Sequence, residues 1–303
     1  MFLILFLLGH GISLSQVQHN KDTFECDILF ENYAAKLRVQ RKPEVLCRRM
    51  DAIFPFLTPA TLSLALLIAA FGGFVKGVVG FAMPLVIISG LTTFIAPEYA
   101  LAGLIIPTLV ANTVQSLRQG VGAAWQSIKA FRVFLAVGGI ALVTSAQMVR
   151  TVPVETLQLL IGVPVMVFVL IQLLGVTLRL SGQSAAVEAV IGAIAGFIGG
   201  LSGVWGPPTV MYLTALETAK QDQMRIQGVI YSGGALALFG AHLGSGVLRA
   251  ETLPFSLALL PPALFGMWLG GRVSDRIDQK IFRRSTLIVL LFAGANLVRR
   301  ALF

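Results

Sequence analysis

The stretch GFVKGVVGFAMP, Gly73 to Pro84, limits what this chain can fold into, because a close copy, GFIGGLSGVWGP, returns from Gly196 to Pro207, 123 positions later. Aligned without gaps, Gly73, Phe74, Gly77, Gly80 and Pro84 meet Gly196, Phe197, Gly200, Gly203 and Pro207. Each copy closes an apolar run with glycines, which accept φ > 0 and close backbone approach. A proline follows, which has no N–H and pushes the residue before it out of the helical region. An apolar helix is expected to stop at each copy and a new one to begin. Paired interruptions at matching places in two halves of a membrane protein point to the substrate site of a secondary transporter.

Composition supports the membrane setting. Of 303 residues, 56% are hydrophobic and only 12% charged, with a mean hydropathy of +0.84, whereas soluble domains carry about 25% charged residues. Several apolar runs are long enough to cross a ~30 Å hydrocarbon core at ~1.5 Å per residue. The expected fold is all-α: a polytopic transmembrane bundle of two homologous, inverted repeats with broken helices and roughly eight to ten membrane segments. The first repeat is placed at 50–180 and the second at 181–303, divided at the small, polar stretch Ser181 to Ala185. Residues 1–49 read as an N-terminal extension, dispensable or not native. Met1 to Leu8 is apolar but lacks a basic n-region, Lys21 to Arg49 is polar and basic, and Met50 opens a new composition.

A formal charge of +9 suits a nucleic-acid partner, but the basic residues lie scattered between apolar spans and form no aromatic-basic patch, which argues against one. Positive inner loops explain them. Ten crossings starting outside at Met50 put eleven basic residues in inner loops, among them Arg118, Arg225, Arg272 and Lys280. Four, Arg150, Arg249, Arg299 and Arg300, fall outside. An odd number of crossings per half turns the second half upside down relative to the first.

The candidate site follows from what an ion needs. A small anion entering lipid loses its hydration, and helix N-termini offer unpaired N–H groups and a positive dipole end. Short helices beginning after Met83 and after Gly206, with Pro84 and Pro207 in their first turns, would supply them. Gly77, Gly80, Gly200, Gly203 and Gly206 either admit the ligand or let helices pack closely. Lys76 is the one basic residue inside a motif; it holds the anion or snorkels to the surface. Asn112 and Gln115 share a face of the following span with Ser116, lining a cavity or bonding a neighbouring helix. Ser202 offers a hydroxyl to an oxyanion or bonds back to its own helix. Trp205 covers the ligand or serves as a structural or interfacial residue. His242 reads as an interfacial residue or a proton carrier. Glu188 is the only carboxylate within an expected span, so a relay of buried acids is not expected. The inside-negative potential would then expel an anion at about 2.3 kcal/mol per charge per 100 mV.

Other chemistry finds no support. No nucleophile and base converge and no HExxH metal motif occurs; Cys26 and Cys47, the only cysteines, both precede the first convincing span. No enzyme activity, cofactor or metal is expected, and the partners are a small anionic substrate and the lipid bilayer. A channel and a membrane scaffold or assembly factor remain alternatives. Taken together, GFVKGVVGF, its echo GFIGGLSGVWGPP and the later FGMWLGGRVSDRIDQKIFRR resemble the TauE/SafE family of sulfite exporters and related anion permeases. The resemblance runs from Met50 to Phe303. It implies a multi-pass inner-membrane transporter of two homologous halves, carrying sulfite or another small sulfur-containing organic anion. Relatives often carry a run of glycines where this chain has Val204 and Trp205.

Overall fold

Beyond Met50 the hydrophobic runs become helices almost without exception. The structure, a computed structural model, describes residues 56–146, 154–176, 179–202, 205–244 and 248–302. Two units are distinguished, 1–59 and 60–303, and nearly all that follows belongs to the second. Among the described residues there are eleven helices. The first half contains α1 (Pro59–Val79), α2 (Met83–Leu91), α3 (Pro97–Leu117), α4 (Val121–Ala130), α5 (Arg132–Ala146) and α6 (Val154–Leu173). The second contains α7 (Ala185–Ser202), α8 (Gly206–Ala215), α9 (Lys220–Gly244), α10 (Leu253–Arg276) and α11 (Gln279–Leu302). The extension 1–49, Cys26, Cys47 and the side chain of His242 lie outside the described residues.

Small residues set the helix spacing. On α1, Ala65, Ala69, Gly73, Lys76 and Gly77 form one buried face, while Leu67 and Phe71 on the other are exposed. A Cβ at Gly73 would run into the Ala263 carbonyl and one at Gly77 into that of Met267. Gly266 and Gly270 of α10 meet the Ala70 and Phe74 carbonyls in return. The same backbone-on-backbone contact joins α7 to α5, where Gly196 abuts Gly138 and Gly192 abuts Phe134. Such glycine contacts drive association in lipid, where apolar side chains gain little by meeting one another. The other extensive pairings are α6 with α11, α3 with α9 and α3 with α10. An aromatic and aliphatic core including Phe81, Phe134, Trp205, Tyr212 and Leu290 fills the space between. Large apolar side chains such as Ile140, Phe265 and Phe292 face outward, as a lipid-facing surface requires.

Four helices among the described residues are long and apolar enough to cross a membrane: α1, α3 from Glu98, α10 and α11. A fifth appears if α4 and α5, bent by 75° at Phe131, form one broken span. This is fewer than the eight to ten segments expected from the sequence, and helix length is part of the reason. At ~1.5 Å per residue, α2 (9 residues) and α8 (10 residues) reach only about 14 and 15 Å. They are half-length pieces, not full crossings. Helix α4 exposes Val121, Trp125 and Ile128 while burying Ala124 and Ser127, an amphipathic pattern.

One end of the bundle is laced with polar contacts. Arg118 after α3 pairs with Asp275 of α10 at 2.5 Å, and Glu217 after α8 accepts Arg179 at 2.9 Å and Arg283 of α11 at 3.3 Å. Lys220 of α9 donates to the Ser274 and Ile277 carbonyls, each at 2.7 Å. Elsewhere, Asn296 and Arg300 of α11 donate to Ser89 of α2 at 3.1 and 3.2 Å.

Candidate functional site

The first break begins where α1 runs out at Val79. Gly80 adopts φ +87° and Ala82 φ +71°, turning the chain into α2, with Pro84 in its first turn. Gly80 is required there for two reasons. Its dihedral lies in the left-handed region, and a Cβ would collide with Gln227 and come within 2.7 Å of the Met224 sulfur.

Polar side chains surround this break. Lys76, one turn earlier, is 1% exposed, and its Nζ donates to Asn112 Oδ1 at 2.6 Å and to the Gly80 carbonyl at 3.4 Å. The Tyr231 ring lies 5.9 Å from the same nitrogen. Asn112 donates onward to the Tyr231 carbonyl at 3.2 Å. Gln115 donates to the carbonyls of Gly80 at 3.0 Å and Met224 at 2.7 Å, while its own Oε1 is buried without a partner. With the amide nitrogen of Gln227 turned toward the chain, it donates to Val79 at 3.2 Å and Gly80 at 3.3 Å. Three side chains thus aim donors at one carbonyl, which has two lone pairs. No carboxylate pairs with Lys76 among the described residues.

The second break has a different character. Helix α7 ends at Ser202 and α8 begins at Gly206, with Pro207 and Pro208 in its first turn. Gly200 sits half-buried on α7; Gly203 and the Ser202 side chain lie outside the described residues. Trp205 is buried between Gly199 and Gly234, where a Cβ would approach its side chain to 3.0 and 2.8 Å. The two breaks touch through Phe81 and Tyr231. The Tyr231 hydroxyl donates to the Gly206 carbonyl at 3.2 Å, and a Cβ at Gly206 would lie 3.8 Å from the Phe81 ring.

Lys76, Phe81, Gln227 and Tyr231 are all buried, so the junction of the breaks is closed to solvent. Two cavities open instead at the laced end of the bundle, around Glu217 and around Arg225. Glu188 is buried in the first turn of α7, bonded to Gln183, and takes no part in the network. Among the described residues no cluster of His, Cys, Asp and Glu is suited to a metal. Sequence reasoning missed Gln227 and Tyr231. Their signal was the spacing Gln223, Gln227, Tyr231, which puts three polar side chains on one stripe of α9.

The sequence model of the sulfite exporter TauE/SafE family matches residues 65–297, a region that contains both breaks and the whole polar network. The chain belongs to the sulfite exporter TauE/SafE family. It is therefore a multi-pass membrane transporter of a small anion and not an enzyme. Comparison with curated proteins and with solved structures finds no match to this TauE/SafE chain.

Proposed function

We propose that this transporter exports sulfite or a related small sulfur-containing organic anion across the inner membrane, and that the anion binds at the break between α1 and α2. The observation carrying this reading is Lys76: a buried lysine nitrogen among neutral amides, without an acid beside it among the described residues. A buried charge is costly unless paired, and an anionic substrate is the missing counter-charge. Asn112, Gln115 and Gln227 supply further donors: either glutamine can turn from the Gly80 carbonyl to an oxyanion without leaving that carbonyl bare, and Asn112 would turn from the Tyr231 carbonyl.

The remaining residues shape the site. Gly80 and Pro84 turn the chain, and Gly77 holds α1 against α10. Trp205, Gly206 and Pro207 form the facing wall, and the repeated motif adds Gly200, Ser202 and Gly203 to the proposed site. We read 50–180 and 181–303 as inverted repeats, a plan supported by how helix partners exchange. Helix α1 packs on α10 as α7 packs on α5, while α3 pairs with α9 and α6 with α11. A two-fold relation of α1–α6 to α7–α11 requires that exchange. On this plan α6, α7 and α9 also cross the membrane beside their partners, giving eight crossings, and each half-helix returns the chain to the side from which the preceding helix entered, so each half makes five passes.

The inside-negative potential drives an anion outward at about 2.3 kcal/mol per charge per 100 mV, so export needs no coupling ion. The test is radiolabelled sulfite flux in proteoliposomes under an imposed potential. Saturable, potential-driven flux with counterflow is expected. Flux indifferent to potential but driven by a pH gradient contradicts the mechanism, and non-saturable flux marks a channel.

A further inference from the structure

The cavity at the end of α8 has the features of a binding site that the reading above does not use. It encloses about 430 Å³ and is lined by Thr214, Glu217, Gln223, Gln279, Lys280 and Arg283, among others. The charge balance there is positive. Arg179 and Arg283 share the single carboxylate of Glu217, and Lys280 has no ion-pair partner among the described residues. Donor and acceptor capacity is left over inside. Thr214, a lining residue, is 4% exposed, and its hydroxyl is buried with no partner. A buried polar atom without a partner costs ~1–3 kcal/mol, so this hydroxyl calls for a polar guest.

Helix ends favour a negative guest. The first turns of α9 and α11 contribute Gln223, Gln279 and Lys280, and a helix N-terminus attracts anions, although Asp278 already accepts the Ile281 N–H of α11 at 2.7 Å and Asp222 stands in the first turn of α9. The opposing end of α8 is neutralised, because its last carbonyls accept the backbone N–H groups of Leu216, Glu217, Thr218 and Leu180. From this cavity α8 leads back to Gly206, its 10 residues spanning about 15 Å.

We propose that the cavity is a second anion site, a vestibule that captures the small oxyanion before it reaches Lys76. The vestibule lies on the face the basic loops assign to the cytoplasm, where an exported anion is collected. Its place in the transport path rests on the reading of Lys76 as the central ligand, but its ability to bind an oxyanion does not.

Binding of radiolabelled sulfite to the full-length purified chain, by equilibrium dialysis, separates the two sites. In the Lys76→Met chain a weaker site is expected to remain, and adding Lys280→Gln and Thr214→Val is expected to remove it. With Lys76 intact, Lys280→Gln alone should raise the KM for sulfite efflux about two- to five-fold at unchanged maximal rate, the size expected for an exposed charge. Lys280 makes no ion pair among the described residues, so its replacement leaves the Glu217 contacts standing. Loss of all binding in Lys76→Met overturns the vestibule and leaves the central site intact. Full binding in Lys76→Met, lost on adding Lys280→Gln and Thr214→Val, supports the vestibule and overturns the central site. An unchanged KM in Lys280→Gln with unchanged binding overturns the vestibule.

Discussion

The two glycine-proline breaks share a backbone plan and differ in chemistry. At the first, a left-handed glycine turns the chain beneath a lysine and three amides. At the second, a tryptophan is locked between glycines, the neighbouring Gly206 meets a phenylalanine ring and a tyrosine hydroxyl, and no ion pair involves α8's first turn among the described residues. The repeated glycines and prolines therefore specify where helices stop, while the residues between them decide what the stop is for. On the proposal above, the first break binds the anion and the second forms a wall.

Parallel substitutions are the sharpest way to break this comparison. Gly80→Ala places a Cβ at φ +87° against Gln227 and Met224, costing on the order of 1–3 kcal/mol in strain and a similar amount in overpacking. Transport should be abolished and the melting temperature lowered. Gly206→Ala should be mild, because a Cβ there meets nothing closer than 3.7 Å. Equal damage from both, read by flux and thermal melting, would erase the asymmetry.

Lys76→Met comes next. Losing a charge-assisted contact worth about 1.5–3 kcal/mol should cut transport roughly 10- to 150-fold at an undiminished folded yield. Normal transport would remove Lys76 from the site. Trp205→Phe tests the wall: lost burial should lower stability by on the order of 1–2 kcal/mol, with the KM for sulfite shifted less than about two-fold. A KM shift like that of Lys76→Met would make Trp205 a ligand. The smallest effect is expected for Arg118→Gln, since its pairing with Asp275 is 47% and 60% exposed and such pairs contribute about 0–1 kcal/mol.

Much of the first break was legible in the chain. Glycine followed by proline marks where α1 yields to α2 and α7 to α8, because those residues act on their own backbone. The i, i+3 relation of Asn112 and Gln115 likewise showed that they share a face. Which helix that face meets was not legible. Gln227 and Tyr231 lie more than 100 positions away and reach the site only because α9 packs along α3. The 75° bend at Phe131 was hidden for a related reason: both sides of it are apolar, and the turn depends on how α4 and α5 pack. Trp205 illustrates the limit from the other side. Its position in the motif left open a cover or a structural role, and only its contacts with Gly199 and Gly234 place it in the core.

The most direct measurement is an experimental structure of the purified transporter with bound sulfite. Density for the anion within hydrogen-bonding distance of Lys76 Nζ, with the Gln115 or Gln227 amide turned toward it, is the expected result. Density confined to the Trp205 side, with Lys76 still bonded to Asn112, would contradict the assignment of the anion to the first break.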